Sequence, residues 1–134
     1  MGGQMATEKV KELEVKIANR VGSGAEALSV LKDARVNLIA VCGYSSGKDA
    51  YLLLVPKNAR AARNALKKAG YKNIKSVDVL KVDLVNRPGS FKGVLERLAN
   101  ANVNVDYSYA AASKGAGVAI IRAKPFDRAL KILK

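Results

Sequence analysis

The sequence predicts an α+β protein made of two tandem βαββαβ units with antiparallel sheets. The first observation is a repeat, because residues 19–23 (Asn-Arg-Val-Gly-Ser) and 86–90 (Asn-Arg-Pro-Gly-Ser) share four of five residues at an offset of 67 positions. The match continues at that offset through apolar positions such as Leu28/Leu95 and Leu31/Leu98. The second observation is that each copy alternates between strand-period and helix-period segments, separated by turn formers. Together they indicate a duplicated domain.

The first unit is predicted to span residues 9–80. Leu13, Val15 and Ile17 alternate with charged residues, which is the period of a half-buried strand, whereas residues 1–8 carry no pattern and are expected to lie outside the fold. Ser23 and Glu26 have the spacing of a capping box and predict the start of a helix. The predicted strands are residues 10–19, 36–42, 50–55 and 74–80, the turn between the middle two is 43–49, and a second helix runs from Asn58 to Gly70.

The second unit is predicted to span residues 81–134 and to repeat this order, which is the ferredoxin-like arrangement. Its predicted strands are residues 82–85, 103–109 and 118–121, and its helices are 91–101 and 127–133. At the repeat offset Lys134 corresponds to Lys67, so this unit lacks a counterpart of the last strand and leaves a sheet edge unpaired. Because unpaired edges recruit other strands, a partner chain or the N-terminal segment is expected to fill it.

Composition excludes several functions. The chain has no histidine and one cysteine, so zinc sites and histidine-based catalysis are absent, and we predict no catalytic residues, no metal site and no cofactor. Cys42 is predicted to be a small core residue. No apolar run approaches the ~20 residues that cross a bilayer, which predicts a cytoplasmic protein without membrane contact. Units of about 65 residues are marginal alone, so each is expected to pack on the other unit or on a second chain, and a homo-oligomer is expected.

The turn that opens each predicted first helix contains a glycine, Gly22 or Gly89, followed by a serine, Ser23 or Ser90. Glycine permits close approach of a ligand to the backbone, and the N–H groups of a helix start favour a carboxylate or phosphate. Asparagines precede each turn and begin each following strand, and their amides offer both a donor and an acceptor to a zwitterion. The alternative is that they only satisfy loop backbone groups. The four are Asn19, Asn86, Asn37 and Asn104.

The motif Asn-Arg-Pro-Gly-Ser, with Val94-Leu95 and the segment 98–105 (Leu-Ala-Asn-Ala-Asn-Val-Asn-Val), resembles the ACT domain, the amino-acid-sensing module of biosynthetic enzymes and regulators. The resemblance covers nearly the whole chain as two units. It implies a non-catalytic protein that binds a small amino acid at unit interfaces, with Asn86 beside Asn37 and Asn19 beside Asn104, and that acts on a partner enzyme or regulator. The implied ligand-binding set is Asn86, Arg87, Gly89, Ser90, Asn104, Asn19, Gly22, Ser23 and Asn37. Leu84 and Ile17 stand where serine-sensing members have histidine, so the resemblance does not identify the ligand as serine. Val21 replaces the motif's proline, which predicts unequal sites.

The formal net charge of +13, from 24 basic and 11 acidic side chains, supports a second hypothesis. Arg60, Arg63 and Lys67 line one side of the second helix and could contact a polyanion, which would make the chain a basic nucleic-acid-binding protein. The other interpretation, a solvated helix face, is favoured. Residues 117–121 carry no aromatic rings for base stacking, so recognition of single-stranded RNA is disfavoured.

Overall fold

The computed structural model describes residues 4–134. The elements in chain order are β1 (Gln4–Ala18), α1 (Ser23–Asp33), β2 (Leu38–Ser46), β3 (Asp49–Pro56), α2 (Ala59–Lys68), β4 (Ile74–Val85), α3 (Ser90–Asn100), β5 (Asn104–Ser113), β6 (Ala116–Lys124) and α4 (Phe126–Leu133). The predicted α+β class with antiparallel strand pairing is confirmed.

Residue contacts divide the chain into two compact units. One comprises residues 11–77, with neighbouring strands in the order β2-β3-β1-β4 and antiparallel pairs such as Leu13 with Leu54. The other comprises residues 78–134 together with residues 4–10, with the order β1-β4-β6-β5. Each unit therefore has four strand segments and two helices. The repeat boundaries at residues 9–80 and 81–134 stay a prediction from the sequence.

Each unit has its own apolar core between the sheet and the helices. In residues 11–77 the alternating strand residues Leu13 and Val15 meet Leu52 and Leu54 of β3, and the helices add further buried residues. These are Ala27, Leu31, Ala62 and Leu66. In the other unit, β4 and β6 contribute Leu80, Val82, Leu84, Ala119, Ile121 and Ala123, and the helices Val94, Leu98, Ala129 and Leu133. The period-two pattern of the strands is what places these side chains on one face.

The first strand is longer than the sequence predicts. It begins at Gln4, not near Val10, so the expectation that residues 1–8 lie outside the fold is wrong for residues 4–8, and residues 1–3 lie outside the described part of the chain. Residues 4–10 group with the second repeat. There Lys81 Nζ lies 3.7 Å from Glu8 Oε1 and 2.9 Å from Asp83 Oδ1. In the strand order β1 neighbours β4, so the N-terminal segment lies beside the strand whose edge was expected to be open. That the second repeat lacks a last strand of its own stays a prediction.

Three other local predictions are wrong and one is confirmed. Residues 74–85 form one continuous strand instead of two, and the first hairpin turn is only Gly47-Lys48, because β2 extends to Ser46 and pairs there with Asp49. Cys42 is half-exposed, since β2 stands at the end of its unit's strand order. The start of α2 is confirmed: the Asn58 side chain accepts a hydrogen bond from Ala61 N at 3.0 Å.

Candidate ligand site

The turn that joins β4 to α3 is held in place by backbone hydrogen bonds. Asn86 N donates to Gly115 O at 3.0 Å, which ties the turn to the β5–β6 hairpin, and Ser90 N donates to Arg87 O at 3.2 Å. Gly89 caps α3 with φ +85°, a left-handed conformation that glycine adopts without strain. Gly89 therefore lies in the turn that the sequence predicts between a strand and a helix. Because Ser90 N is bonded within this turn, the amides of α3 that could meet a ligand are those that follow it, as at any helix start.

A cavity of about 200 Å³ lies against this turn. Asn86, Arg87 and Ser90 line it together, so the structure brings these three predicted residues to one place. Ser90 is only 6% exposed, and its hydroxyl oxygen has no hydrogen-bond partner among the described residues. A buried hydroxyl without a partner is costly, and a ligand oxygen at the helix start would satisfy it.

The rest of the lining comes from residues that the sequence analysis did not include in the binding set. They are Leu84, Val85, Phe91, Ala110, Ala111, Ala112 and Gly117. Gly117 pairs with both Leu84 and Ala112, and a Cβ atom at position 117 would lie 3.6 Å and 3.5 Å from their Cβ atoms. Small residues in this row leave the space open. The only signal in the sequence was the run of three alanines directly after the predicted strand 103–109, which carries no chemistry by itself.

The corresponding turn of the first unit has the same backbone but different side-chain contacts. Gly22 caps α1 with φ +88°, and Ser23 is 5% exposed with its hydroxyl unpartnered in the described chain. Asn19 Nδ2 donates to Gly47 O at 3.2 Å, so its amide holds the hairpin turn. Val21, which replaces proline, is 98% exposed.

The predicted capping box at this turn is wrong. The N-cap of α1 is Gly22 and no side chain caps it, while Glu26 accepts two hydrogen bonds from Arg20, at 2.7 Å and 3.0 Å. These bonds hold the pKa of Glu26 below its ordinary value and raise the pKa of Arg20. Glu26 therefore neutralises the arginine of the turn instead of closing the helix.

Asn104 and Asn37 lie at the other end of their sheets. Asn104 begins β5, pairs with Lys124, and donates from Nδ2 to Asp106 Oδ1 at 3.0 Å. Since Asn86 is bonded near the opposite end of β6, roughly 26 Å of strand separates the two asparagines of this unit. Asn37 precedes β2 instead of beginning it, and its carbonyl accepts from Lys57 N at 2.9 Å. The predicted pairs of Asn86 with Asn37 and Asn19 with Asn104 stay predictions.

Comparison with known families decides the classification. Residues 8–134 match the ACT domain pair family. The chain belongs to that family. Its ACT fold is shared with protein BT0572 from Bacteroides thetaiotaomicron, at 25% identity and TM-score 0.88 over 95% of this chain and 88% of that one. No curated protein sequence gives a significant match.

Two further ACT-like structures are aspartate kinase regulatory subunits from Thermus. The subunit from Thermus thermophilus, in its ligand-free form, is 17% identical with TM-score 0.70, covering 97% of this chain and 94% of that one. The subunit from Thermus flavus is 16% identical with TM-score 0.60, covering 98% and 96%. At these identities the similarity establishes the shared fold.

Across residues 4–134, no helix has the length and apolar character needed to cross a membrane. Within the same range, no three histidine, cysteine, aspartate or glutamate side chains group in a way that could hold a metal ion.

Proposed function

We propose that this ACT domain pair is a non-catalytic regulatory protein that binds a small amino acid at the turn of residues 86–90. The observation that carries the proposal is the cavity beside α3 with the buried, unpartnered hydroxyl of Ser90 in its lining. That hydroxyl and the amides of α3 that follow Ser90 N are donors at one spot, where the partial positive charge of a helix start favours an anion.

The cavity lining suits the two ends of an amino acid. The ligand carboxylate accepts hydrogen bonds from the Ser90 hydroxyl and from the amides of α3 that follow Ser90 N, while the amide oxygen of Asn86 accepts from the ammonium group. The ligand's side chain lies against Phe91 and the alanines of β5. A volume of about 200 Å³ is below the usual range for drug-sized ligands, which favours a small amino acid.

We expect the two turns to be unequal. In the first unit the side-chain amide of Asn19 donates to Gly47 O. A ligand there would have to displace this contact or do without it. The turn of residues 86–90 is therefore proposed as the stronger site, and Gly22 and Ser23 as a weaker one.

The regulated partner is proposed from similarity of fold. Proteins that share the ACT architecture include regulatory subunits of aspartate kinase, which supports action on a separate catalytic chain. We propose a cytoplasmic homo-oligomer whose assembly or partner contact changes on ligand binding, because a ligand shifts an equilibrium by its differential affinity for two states.

The test is thermal unfolding in the presence of each of the twenty amino acids. A ligand at a hundred times its dissociation constant should stabilise the folded state by about 2.7 kcal/mol. Ala112→Leu should remove the effect by filling the cavity, because Ala112 lies beside Gly117 in its lining.

The matched control for this variant is Ser45→Leu. Ser45 occupies the equivalent position in the first unit, 67 residues earlier, and pairs with Ala50 as Ala112 pairs with Gly117. It should keep the response to the amino acid. A panel without any response would refute the proposed function, and equal losses in both variants would refute the proposed location.

A further inference from the structure

A second cavity, of about 420 Å³, lies in the unit of residues 11–77 and is strongly basic. Four cationic side chains line it, and the remaining lining has two polar and two apolar residues but no acidic one. The cations are Lys11, Arg60, Arg63 and Lys67, and the others are Asn64, Ser76, Leu13 and Ala59. We name this cavity the basic cleft. It shares no residue with the cavity beside α3.

Helix α2 supplies most of the charge. Arg60, Arg63 and Lys67 are three and four residues apart, which places them along one side of the helix. The helix contains no acidic residue, and Arg60 stands in its first turn, where the macrodipole disfavours a cation. An anion bound in the cleft would offset both the dipole and the mutual repulsion of the cations.

These three cations are also unneutralised. Among residues 4–134, neither arginine nor Lys67 has a carboxylate within 4.0 Å, whereas Lys16, Arg20, Lys81 and Lys92 each have at least one. The Arg63 Nε atom is buried and has no hydrogen-bond partner in the described chain. A buried donor without a partner carries a desolvation cost that a ligand oxygen would remove.

We propose that the basic cleft binds a phosphate-bearing anion, at a site separate from the amino-acid site. Arginine is the side chain best suited to phosphate, because its planar guanidinium donates two parallel hydrogen bonds. Lys67 and Lys11 add point charges, while Asn64 and Ser76 add neutral polar groups. The volume lies within the range of small-molecule sites of about 300–1,000 Å³, so the cleft has room for more than inorganic phosphate. The phosphate could belong to a small metabolite or to a nucleic-acid backbone.

The experiment measures the binding of inorganic pyrophosphate, ATP and a short DNA duplex by titration calorimetry at two salt concentrations. The test variant Arg60→Gln/Arg63→Gln/Lys67→Gln removes three charges from the cleft. The control Lys32→Gln/Lys48→Gln/Lys57→Gln removes three charges from exposed lysines of the same unit that do not line the cleft. A double variant, Arg60→Gln/Lys67→Gln, leaves the half-buried Arg63 in place and guards against misfolding.

The expected result is binding of pyrophosphate or ATP by the natural protein and the control, weakened at least about tenfold in the triple variant and measurably in the double variant. Binding of the duplex alone, lost in the cleft variants and kept in the control, would assign the phosphate to nucleic acid. Its affinity should then fall by about 0.9 log units per log unit of salt for each phosphate engaged. Equal weakening in the cleft and control variants, or no binding of any probe, would overturn the proposal. Neither outcome depends on whether the protein responds to an amino acid, so a failure of this proposal can be distinguished from a failure of the proposed function.

Discussion

Replacing Ser90 by alanine should have opposite effects on stability and on ligand affinity. In the ligand-free protein the hydroxyl is buried without a partner, and an unsatisfied buried hydroxyl costs roughly 1–3 kcal/mol. Ser90→Ala should therefore stabilise the free protein by about 1 kcal/mol, the lower end of that range. For a chain of this length the corresponding rise in Tm is roughly 3–5 °C.

Amino-acid binding should weaken in the same variant. A hydrogen bond to a charged carboxylate contributes about 1.5–3 kcal/mol, so its loss should raise Kd by roughly 10- to 150-fold. Calorimetric unfolding without ligand measures the first effect. Titration with the amino acid that stabilises the protein most in the panel measures the second.

Ser23→Ala is the matched control, because Ser23 has the same place at the start of α1 and the same unpartnered hydroxyl. It should raise Tm similarly and leave the affinity of the stronger site unchanged. A lower Tm for Ser90→Ala would mean that the hydroxyl has a partner in the free protein. An unchanged Kd would mean that it does not contact the ligand.

Three further predictions concern the fold. Asn58→Ala should lower the free energy of unfolding by about 1 kcal/mol, because it removes the side chain that accepts a hydrogen bond from Ala61 N at the start of α2. The midpoint of denaturant unfolding measures the effect, and a midpoint equal to that of the natural protein would contradict it. Arg20 lowers the pKa of Glu26. The ion pair therefore stabilises the folded state fully at pH values above the ordinary carboxyl pKa, and this stabilisation is lost as the pH falls through the lowered pKa. Unfolding of Glu26→Gln at several pH values should therefore differ from the natural protein near neutrality and converge with it in acid; a constant difference would contradict this. Removal of residues 1–9 should uncover the edge of β4 and increase self-association, measured by light scattering, and an unchanged mass would contradict that reasoning.

The repeat and the strand alternation made most of the fold predictable. Leu13 and Val15 point to one core, and Asn58 marks the start of α2 by ordinary capping chemistry. The start of β1 was not predictable, because residues 6–9 are polar or small and, apart from the half-buried Thr7, exposed, so they carry no apolar period. The prediction of a capping box was wrong because the Glu26 carboxylate accepts hydrogen bonds from Arg20, in the turn before α1. Such competition depends on side-chain geometry that spacing alone does not contain.

The candidate site was predictable only on one side. Asn86, Arg87 and Ser90 belong to a local motif whose chemistry is visible in the sequence, and the structure places them around one cavity. The opposite wall, with Ala112 and Gly117, comes from strand pairing more than twenty residues later, and its small side chains matter through the space that they leave. The basic cleft likewise needed Lys11 of β1, which lies far from α2 along the chain, and Ser76 of β4.

The grouping of residues 4–10 with residues 78–134 affects the order in which the two units can form during synthesis. Residues 11–77 are contiguous and can fold as soon as β4 has left the ribosome. The other unit is discontinuous, so its first segment has to remain available until α3, β5, β6 and α4 have been made. During that interval the polar composition of residues 6–9 is an advantage, because a more apolar strand would be prone to aggregate while it waits for its partner.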